Sequence, residues 1–291
     1  MFKGTYTAIV TPFNRDGGVD YGRLRALVEW QAASGIDGLV PVGTTGESPS
    51  LDCEEHIEVV RTIVEAGRGR LKVIAGTGAN STAEAVDLTR RVLDMGCAAT
   101  LQVTPYYNKP SQEGLYRHFS TVADLGLPVV LYNVPGRTGR EIAVETVVRL
   151  AEHPKIVAVK EAGGSVERVS AILDACRIAV LSGDDSLTIP MMSVGAQGVI
   201  SVASNVAPRE VADMVRAALA GDFVRAGAGH RRLFPLFRDL FIDSNPIPVK
   251  AALAMMGRIE ETYRLPLCEP SDKVRVQIRQ TLASLGLLPS P

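Results

Sequence analysis

The stretch Ile156-Val157-Ala158-Val159-Lys160-Glu161, followed by Ala162-Gly163-Gly164, is typical of a buried strand in a parallel sheet. Its first four residues are apolar without alternation, as expected for a strand that is covered on both faces. Lys160 then lies at the C-terminal end of the strand, which is the edge where α/β folds build their functional sites. A lysine in this position can attack a ketone and form a Schiff base.

Protonation limits Lys160 as a nucleophile. A free lysine has a pKa of about 10.4, so at pH 7 roughly one lysine in 2,500 is neutral. We expect apolar neighbours such as Val157 and Val159 to lower this pKa. The alternative is an ion pair between Lys160 and Glu161 or another carboxylate, which the strand alone leaves open.

A unit of one short β-rich run, one turn and one helical stretch recurs eight times along the chain. The predicted strands are 6–10, 38–42, 72–75, 100–103, 129–132, 156–160, 179–182 and 198–202. The predicted helices are 21–33, 52–65, 84–93, 114–123, 144–151, 166–173, 187–194 and 209–220. Strict alternation predicts a parallel sheet, and eight units predict a closed (β/α)8 barrel, known as a TIM barrel.

The strand pattern stops after residue 222. We therefore predict a catalytic barrel over residues 1–222 and a C-terminal helical extension over residues 223–291. Asn245-Pro246-Ile247-Pro248 interrupts the extension, which indicates two or three helices. No linker rich in Gly, Ser or Pro separates the two parts.

Composition argues against several classes of protein. Of the 291 residues, 46% are hydrophobic and 22% are charged, as in ordinary globular proteins. The net charge of −1, with scattered Lys and Arg, argues against nucleic acid or an anionic membrane as a partner. The sequence has no apolar run of about 18 residues and starts without the apolar core of a signal peptide. We therefore expect a cytoplasmic protein.

The cysteines and histidines do not indicate a metal site. Cys53, Cys97, Cys176 and Cys268 lie far apart, and we expect them to be reduced and mostly buried thiols. The four histidines lack the spacing of metal ligands. Gly76-Thr77-Gly78 lacks both the third glycine and the Gly-Lys-Ser/Thr ending of nucleotide-binding loops. We expect neither a metal nor a nucleotide.

Residues that follow the strands of a barrel share one face, so they form the candidate site. Thr44 and Thr45, between two glycines, offer hydroxyl and backbone N–H groups that suit a carboxylate. The alternative is a simple turn that leads into the next helix, with Ser50 as its N-cap. Lys160 is the only lysine at the C-terminal end of a predicted strand. Lys250, by contrast, lies in the predicted C-terminal helices.

Tyr132 and Arg137 follow the fifth strand. Tyr132 could transfer a proton to and from a carbinolamine, or it could be a buried tyrosine that bonds to backbone. Arg137 could bind a second carboxylate through its forked guanidinium, or it could form a surface ion pair. The sequence alone leaves both alternatives open.

Taken together, these motifs resemble the pyruvate-dependent class I aldolase and lyase family, which includes dihydrodipicolinate synthases and N-acetylneuraminate lyases. The residues that carry the resemblance are Gly43-Thr44-Thr45-Gly46-Glu47, Tyr132-Asn133-Val134-Pro135 and Val159-Lys160-Glu161. Further motifs match the synthase branch, namely Val103-Thr104-Pro105-Tyr106-Tyr107-Asn108, Gly136-Arg137-Thr138-Gly139, Leu181-Ser182-Gly183-Asp184-Asp185 and Asn245-Pro246-Ile247-Pro248-Val249-Lys250. The resemblance covers essentially the whole chain and favours the Schiff-base role of Lys160.

The resemblance implies a reaction without a cofactor, because the protein itself forms the imine. Lys160 would attack the ketone of pyruvate, and the resulting enamine would attack the aldehyde of L-aspartate 4-semialdehyde. This condensation is the committed step of lysine biosynthesis through diaminopimelate. By position, the resemblance implies a proton relay of Thr44, Tyr132 and Tyr107, a pyruvate pocket of Thr45, Gly183 and Ile200, and Arg137 as the ligand of the semialdehyde carboxylate.

The resemblance also implies an assembly and a regulator. The assembly is a homotetramer built as a dimer of dimers, in which Tyr107 reaches into the site of a neighbouring subunit. The regulator is L-lysine, which would inhibit the enzyme from a pocket at the tight dimer interface. The matching positions are Ser48, His56, Asn80, Glu84 and Tyr106.

Some residues weaken the case for lysine inhibition. Pro49 stands where lysine-sensitive members usually have alanine, and Cys53 stands where they often have histidine. Glu84 could instead close a capping box formed by Ser81-Thr82-Ala83-Glu84. We therefore expect lysine inhibition that is present but weak.

Two other functions remain open on the sequence alone. One is an aldolase of the same family with a sugar-acid or other 2-oxoacid acceptor, although Arg137 and Tyr106-Tyr107 favour the synthase reaction. The other is a catalytically silent barrel that binds a small oxoacid or amino acid as a regulator. The presence of a suitable residue at every catalytic position argues against the silent barrel.

Overall fold

Eight parallel strands close into a barrel in chain order, with β1 hydrogen-bonded to both β2 and β8. The computed structural model describes residues 2–288. Met1 of the predicted barrel and residues 289–291 of the predicted C-terminal extension lie outside the described residues. The strands are β1 (Gly4–Ala8), β2 (Gly38–Val40), β3 (Lys72–Gly76), β4 (Ala99–Val103), β5 (Val129–Asn133), β6 (Ile156–Glu161), β7 (Ala179–Ser182) and β8 (Gly198–Ser201).

Helices follow the strands on the outside of the barrel, which confirms the predicted (β/α)8 fold. They are α1 (Tyr21–Ala33), α2 (Cys53–Gly67), α3 (Thr82–Val92), α4 (Gln112–Ala123), α5 (Pro135–Thr138), α6 (Val144–Ala151), α7 (Val166–Ala175), α8 (Thr188–Ser193) and α9 (Pro208–Leu219). The four-residue helix α5 is an addition to the predicted set, and it carries Arg137.

Within residues 223–288 the chain forms three helices, where the sequence indicates two or three. They are α10 (Phe223–Asp239), α11 (Ile247–Met255) and α12 (Asp272–Ser284). Helix α10 packs against α9 of the barrel, and α12 packs against both α10 and α11. Because Asn245-Pro246 precedes α11, the chain turns there toward the C-terminal end of the strands.

Alternating residues of β6 explain the direction of the Lys160 side chain. Ala158 belongs to the apolar cluster inside the barrel, whereas Val159 belongs to the cluster between the strands and the helices. Because side chains alternate along a strand, Lys160 points to the same side as Ala158, into the barrel. Glu161 points to the opposite side.

The strand ends differ from their predicted positions by two residues at most, and local chemistry explains the largest shifts. Strand β2 ends at Val40 because Pro41 has no N–H to donate and Val42 takes a φ of +52°. The N–H of Val10 leaves the β1 ladder and donates to the side chain of Asn205 over 3.1 Å.

The expected burial of the cysteines is wrong, and the two alternative helix caps that the sequence left open are not formed as stated. Helix α2 is capped by Asp52, which forms a capping box with Glu55, and not by Ser50. Ser81 makes no side-chain cap hydrogen bond, so the capping box with Glu84 is not formed. Cys53 and Cys268 are exposed and Cys97 and Cys176 are half-buried, since all four lie outside the interior of the barrel.

Within residues 2–288, none of the helices is long and apolar enough to span a membrane. The same part of the chain contains no group of three or more His, Cys, Asp or Glu side chains that could hold a metal ion.

Candidate active site

Lys160 lies next to Tyr132 at the C-terminal end of the barrel. The two residues are register partners in the neighbouring strands β5 and β6. Lys160 is only 6% exposed, and its Nζ lies 4.0 Å from the centre of the Tyr132 ring. Gly183 leaves room for the lysine, because a Cβ at position 183 would lie 3.1 Å from Lys160 Cε. The amine is therefore buried beside Tyr132, which itself lines the cavity at the end of the strands.

The Lys160–Glu161 ion pair that the sequence left open is absent, because Glu161 has other partners. Its carboxylate accepts hydrogen bonds from Asn133 Nδ2 at 2.8 Å and from the N–H of Gly163 at 2.8 Å. Arg168 Nε, from α7, donates to the other oxygen at 2.9 Å. This network lies on the outer side of β6, opposite the Lys160 amine.

Two carboxyl groups after β7 lie in the electrostatic field of Lys160. Burial raises the pKa of Asp184, and the nearby Lys160 amine opposes that rise. Burial also raises the pKa of Asp185, which accepts hydrogen bonds from the N–H groups of Val202 and Ala203 at 3.0 and 2.9 Å. Asp184 and Asp185 follow Gly183 in the sequence, but the sequence pattern indicated no role for either acid.

The turn that carries Thr44 and Thr45 begins from an unusual backbone position. Val42 has a φ of +52°, which a β-branched residue seldom adopts. Gly46 and Gly76 allow this shape, because a Cβ on either would lie within 3.0 Å of the Val42 backbone. The turn therefore directs Thr44 toward the end of the barrel, while Thr45 is buried and accepts a hydrogen bond from Asn245 Nδ2 at 3.0 Å.

Thr44, Tyr132 and Arg137 line one cavity of about 220 Å³ at the C-terminal end of the strands. The cavity is polar on these sides and apolar where Leu101 and Val103 of β4 form its wall. Such a combination, with few polar groups in an apolar pocket, is typical of a small-molecule site. The cavity is also lined by Val42, Gly43, Ser48, Pro49, Gly76, Gly78, Tyr106, Val134 and Thr138.

Arg137 is exposed in α5 and points its guanidinium at the cavity. Its Nη2 donates to the backbone carbonyl of Asn245 over 3.2 Å and forms no ion pair within residues 2–288. The surface ion pair that the sequence left open is thus absent from the described part of the chain. The charge remains available for an anionic ligand.

The structure does not bring Tyr107 into the cavity of its own chain. The side chain is 92% exposed, and the residue has a φ of +72°. The loop is fastened on both sides, because Asn108 Nδ2 donates to the Asn80 carbonyl at 2.9 Å and Asn80 Nδ2 donates to the Tyr106 carbonyl at 3.2 Å. The loop therefore presents Tyr107 outward.

Comparison with known proteins identifies the family. The model of the Dihydrodipicolinate synthetase family matches residues 1–285. The chain belongs to this family. The 4-hydroxy-tetrahydrodipicolinate synthase of Thermodesulfovibrio yellowstonii is 49% identical over 291 residues, which cover 99% of this chain and 100% of the relative.

Solved structures of dihydrodipicolinate synthases agree with this fold over nearly the whole chain. The chloride-inhibited enzyme from Acinetobacter baumannii, complexed with pyruvate, is 46% identical with a TM-score of 0.97 and covers 99% of this chain and 100% of its own. The enzyme from Cyanidioschyzon merolae with lysine bound is 43% identical with a TM-score of 0.96 and covers 99% of each chain.

Of the five candidate lysine-pocket residues, two line the cavity and each of the other three lies near a residue that lines it. Ser48 and Tyr106 line the cavity itself. Glu84 lies near enough to Tyr106 to raise its pKa, in addition to the larger effect of burial. His56 is buried, with Nε2 2.8 Å from the carbonyl oxygen of Gly76, and burial lowers its pKa. Asn80 donates to the Tyr106 carbonyl at 3.2 Å, so Asn80, Glu84 and Tyr106 lie close together.

Asn245 and Lys250 both contact the Thr44–Glu47 turn, and the sequence patterns indicated a role for neither of them. Asn245 contacts both Thr45 and Arg137, and Lys250 forms a buried ion pair with Glu47. Both residues stand in the motif Asn245-Pro246-Ile247-Pro248-Val249-Lys250 of the C-terminal extension. The motif could therefore have drawn attention to both residues. It could not have shown that Lys250 pairs with Glu47, because Lys250 lies outside the barrel strands.

Proposed function

We propose that this chain is a lyase that condenses pyruvate with L-aspartate 4-semialdehyde to form 4-hydroxy-tetrahydrodipicolinate. This is the committed step of lysine biosynthesis through diaminopimelate. The observation that supports it best is the Lys160 amine, buried beside Tyr132 at the C-terminal end of a barrel whose family is that of the dihydrodipicolinate synthases.

Lys160 acts as the nucleophile. Its neutral amine attacks the ketone carbon of pyruvate, and loss of water leaves a protonated imine. The positive nitrogen takes up the electron pair when the methyl carbon loses a proton, which gives an enamine. The enamine carbon then forms a bond with the aldehyde carbon of the semialdehyde. Finally, the amine of the added substrate displaces Lys160 and closes the ring.

Two groups of residues hold the substrates. Thr45 donates to the carboxylate of pyruvate, with Gly183 and Ile200 lining the same pocket. The N–H of Gly183 is already bonded to the Glu161 carbonyl at 2.7 Å, so Gly183 contributes the space of an absent side chain. Arg137 binds the carboxylate of the semialdehyde, because its guanidinium lines the cavity without a carboxylate partner in the described chain.

Thr44, Tyr132 and Tyr107 form the proton relay. Thr44 and Tyr132 line the same cavity, and the Tyr132 ring contacts the Lys160 amine. Tyr107 reaches the relay of a second copy of the chain, since its loop presents it outward. We propose a homotetramer of two tight dimers in which each tight dimer contains two such shared sites.

The remaining assignments follow from the same family. We propose that residues 1–222 form the catalytic barrel, that residues 223–291 form the helical segment attached to it, and that the protein acts in the cytoplasm without a cofactor. We also propose weak inhibition by L-lysine, bound by Ser48, His56, Asn80, Glu84 and Tyr106. A lysine titration of the initial rate, with Glu84→Ala as the comparison, tests that pocket.

A turnover assay with matched acceptors tests the proposed reaction. With pyruvate as the donor, we expect turnover with L-aspartate 4-semialdehyde that greatly exceeds turnover with sugar-derived aldehydes or other aldehyde acceptors. Lys160→Ala is the inactive control. Faster turnover with a sugar-derived acceptor would assign the chain to another reaction of the family, and no turnover with any acceptor would favour the silent barrel.

A further inference from the structure

Lys250 and Glu47 form an ion pair between the C-terminal helices and the end of the barrel. Lys250 Nζ donates to Glu47 Oε1 over 2.5 Å, and both side chains are fully buried. The Lys250 amine also lies 4.1 Å from the ring centre of Phe13 and 5.3 Å from that of Tyr263. The two charges are thus enclosed by aromatic rings and compensate each other, while the Arg264 guanidinium lies nearby, 4.4 Å from the ring centre of Phe13.

Glu47 ends the turn that carries Thr44 and Thr45. Its φ of +56° lies in the left-handed region, which residues other than glycine seldom adopt. Its N–H donates to the carbonyl of Thr44 at 3.1 Å, so the position of Glu47 is coupled directly to that of Thr44. A strained backbone persists only where its surroundings hold it, and Lys250 provides a charged contact for this purpose.

Asn245 fastens the same turn five residues before Lys250. Its Nδ2 donates to Thr45 Oγ1 at 3.0 Å. A hydroxyl that accepts one hydrogen bond directs its own hydrogen elsewhere, so the Thr45 hydroxyl remains free to donate to a carboxylate. The segment from Asn245 to Lys250 therefore contacts the turn at two successive points, Thr45 and Glu47.

We propose that Lys250 is a positioning residue of the active site, whose buried ion pair with Glu47 holds Thr44 and Thr45 in the arrangement that binds pyruvate. The inference rests on the proposed function, because it concerns the same pyruvate pocket. A purely stabilising ion pair would affect unfolding without a specific effect on pyruvate.

Three variants separate positioning from stability. Lys250→Met keeps the length of the side chain and removes its charge, so the buried Glu47 carboxylate loses its ion-pair partner. In Glu47→Gln/Lys250→Met neither residue is charged, so the double variant contains no uncompensated buried charge. Lys273→Met removes an exposed lysine of α12 and serves as the matched control.

Each variant is measured for its thermal unfolding midpoint, for its KM for pyruvate and for its kcat at saturating pyruvate. We expect both Lys250 variants to raise the KM for pyruvate by about tenfold or more, because a charged contact to the turn is lost. We expect kcat to fall less than KM rises. The double variant should regain most of the unfolding midpoint but not the KM, and Lys273→Met should match the unchanged protein.

Recovery of both the midpoint and the KM in the double variant would overturn the proposal, because stability alone would then explain the effect of Lys250. A folded Lys250→Met protein with an unchanged KM for pyruvate would overturn it as well. Failure of the proposed function looks different: the unchanged protein itself would then show no turnover with pyruvate and the semialdehyde.

Discussion

At the scale of single residues, we expect Arg137 to serve one substrate more than the other. Its guanidinium lines the cavity and is held by the Asn245 carbonyl, whereas the Lys160 amine lies beside Tyr132. We therefore expect Arg137 to act on the semialdehyde after the pyruvate adduct has formed. The effects of Arg137 on the two substrates can be measured separately, because adduct formation requires only pyruvate.

Replacing Arg137 should impair synthesis without preventing adduct formation. A lost hydrogen bond to a charged group costs about 1.5–3 kcal/mol, which is roughly a 10- to 150-fold loss of kcat/KM for the semialdehyde. Arg137→Ala is measured by steady-state kinetics and by the yield of pyruvate adduct. Arg149→Ala, at an exposed ion pair with Glu113, is the control. An equal loss of adduct and synthesis in Arg137→Ala would contradict the assignment.

His118 is a buried residue whose protonation should affect stability. It lies in α4, 2.9 Å from the Thr82 hydroxyl that begins α3, and its Nε2 has no partner among the described residues. Burial lowers the pKa of His118 from 6.5 to about 4. The unfolded chain therefore binds a proton at a higher pH than the folded chain does.

The free energy of unfolding should consequently fall as pH decreases from about 6.5 to about 4. His118 should lower the free energy of unfolding by about 3 kcal/mol between these two pH values. Below pH 4 its contribution should not change further, since the folded and unfolded states then both bind the proton. The unfolding midpoint of His118→Leu should depend less on pH in this window. His153→Gln, at a half-buried surface histidine, is the control. The same pH dependence in His118→Leu as in the unchanged protein would contradict this account.

At the scale of elements, the apolar runs predicted the strands well because their signal is local. Buried parallel strands require consecutive apolar residues, and Ile156–Glu161 meets that requirement within one window. The end of β2 was less predictable, because Pro41 and the left-handed Val42 interrupt an otherwise apolar run. The cap of α2 depended on competition between Ser50 and Asp52, which are only two residues apart.

The contacts of the C-terminal extension could not be predicted from local patterns. Lys250 and Glu47 are 203 residues apart, and Asn245 and Thr45 are 200 apart. A lysine in an apolar helix and an asparagine before a proline have many possible partners. Only the packing of α11 on the barrel determines which ones they meet. The candidate residues on the strands were predictable, whereas the residues that hold them were not.

At the scale of the whole molecule, the proposed relay of Thr44, Tyr132 and Tyr107 is not assembled within a single chain. Tyr107 is 92% exposed and lies outside the cavity that contains Thr44 and Tyr132. An aromatic side chain held outward by a fastened loop suits an interface, where a second subunit would cover it. We therefore expect activity to depend on association of at least two chains.

Mixed dimers test this dependence. Tyr107→Phe and Lys160→Ala should each be poorly active alone. When they are mixed, one site in each mixed dimer combines an intact Lys160 with an intact Tyr107 from the neighbour, so activity should return. Mass spectrometry of the native complex verifies that mixed dimers form. Verified mixed dimers without recovered activity would show that the site is not shared.

The identity of the nucleophile is the central claim, and borohydride trapping with pyruvate tests it most directly. Reduction of the imine should fix pyruvate to Lys160, which blocks tryptic cleavage there and yields a modified peptide spanning residues 156–168. Lys160→Ala should give no adduct while keeping its fold. An adduct on Lys250 or Lys109, or no adduct at all, would contradict the account.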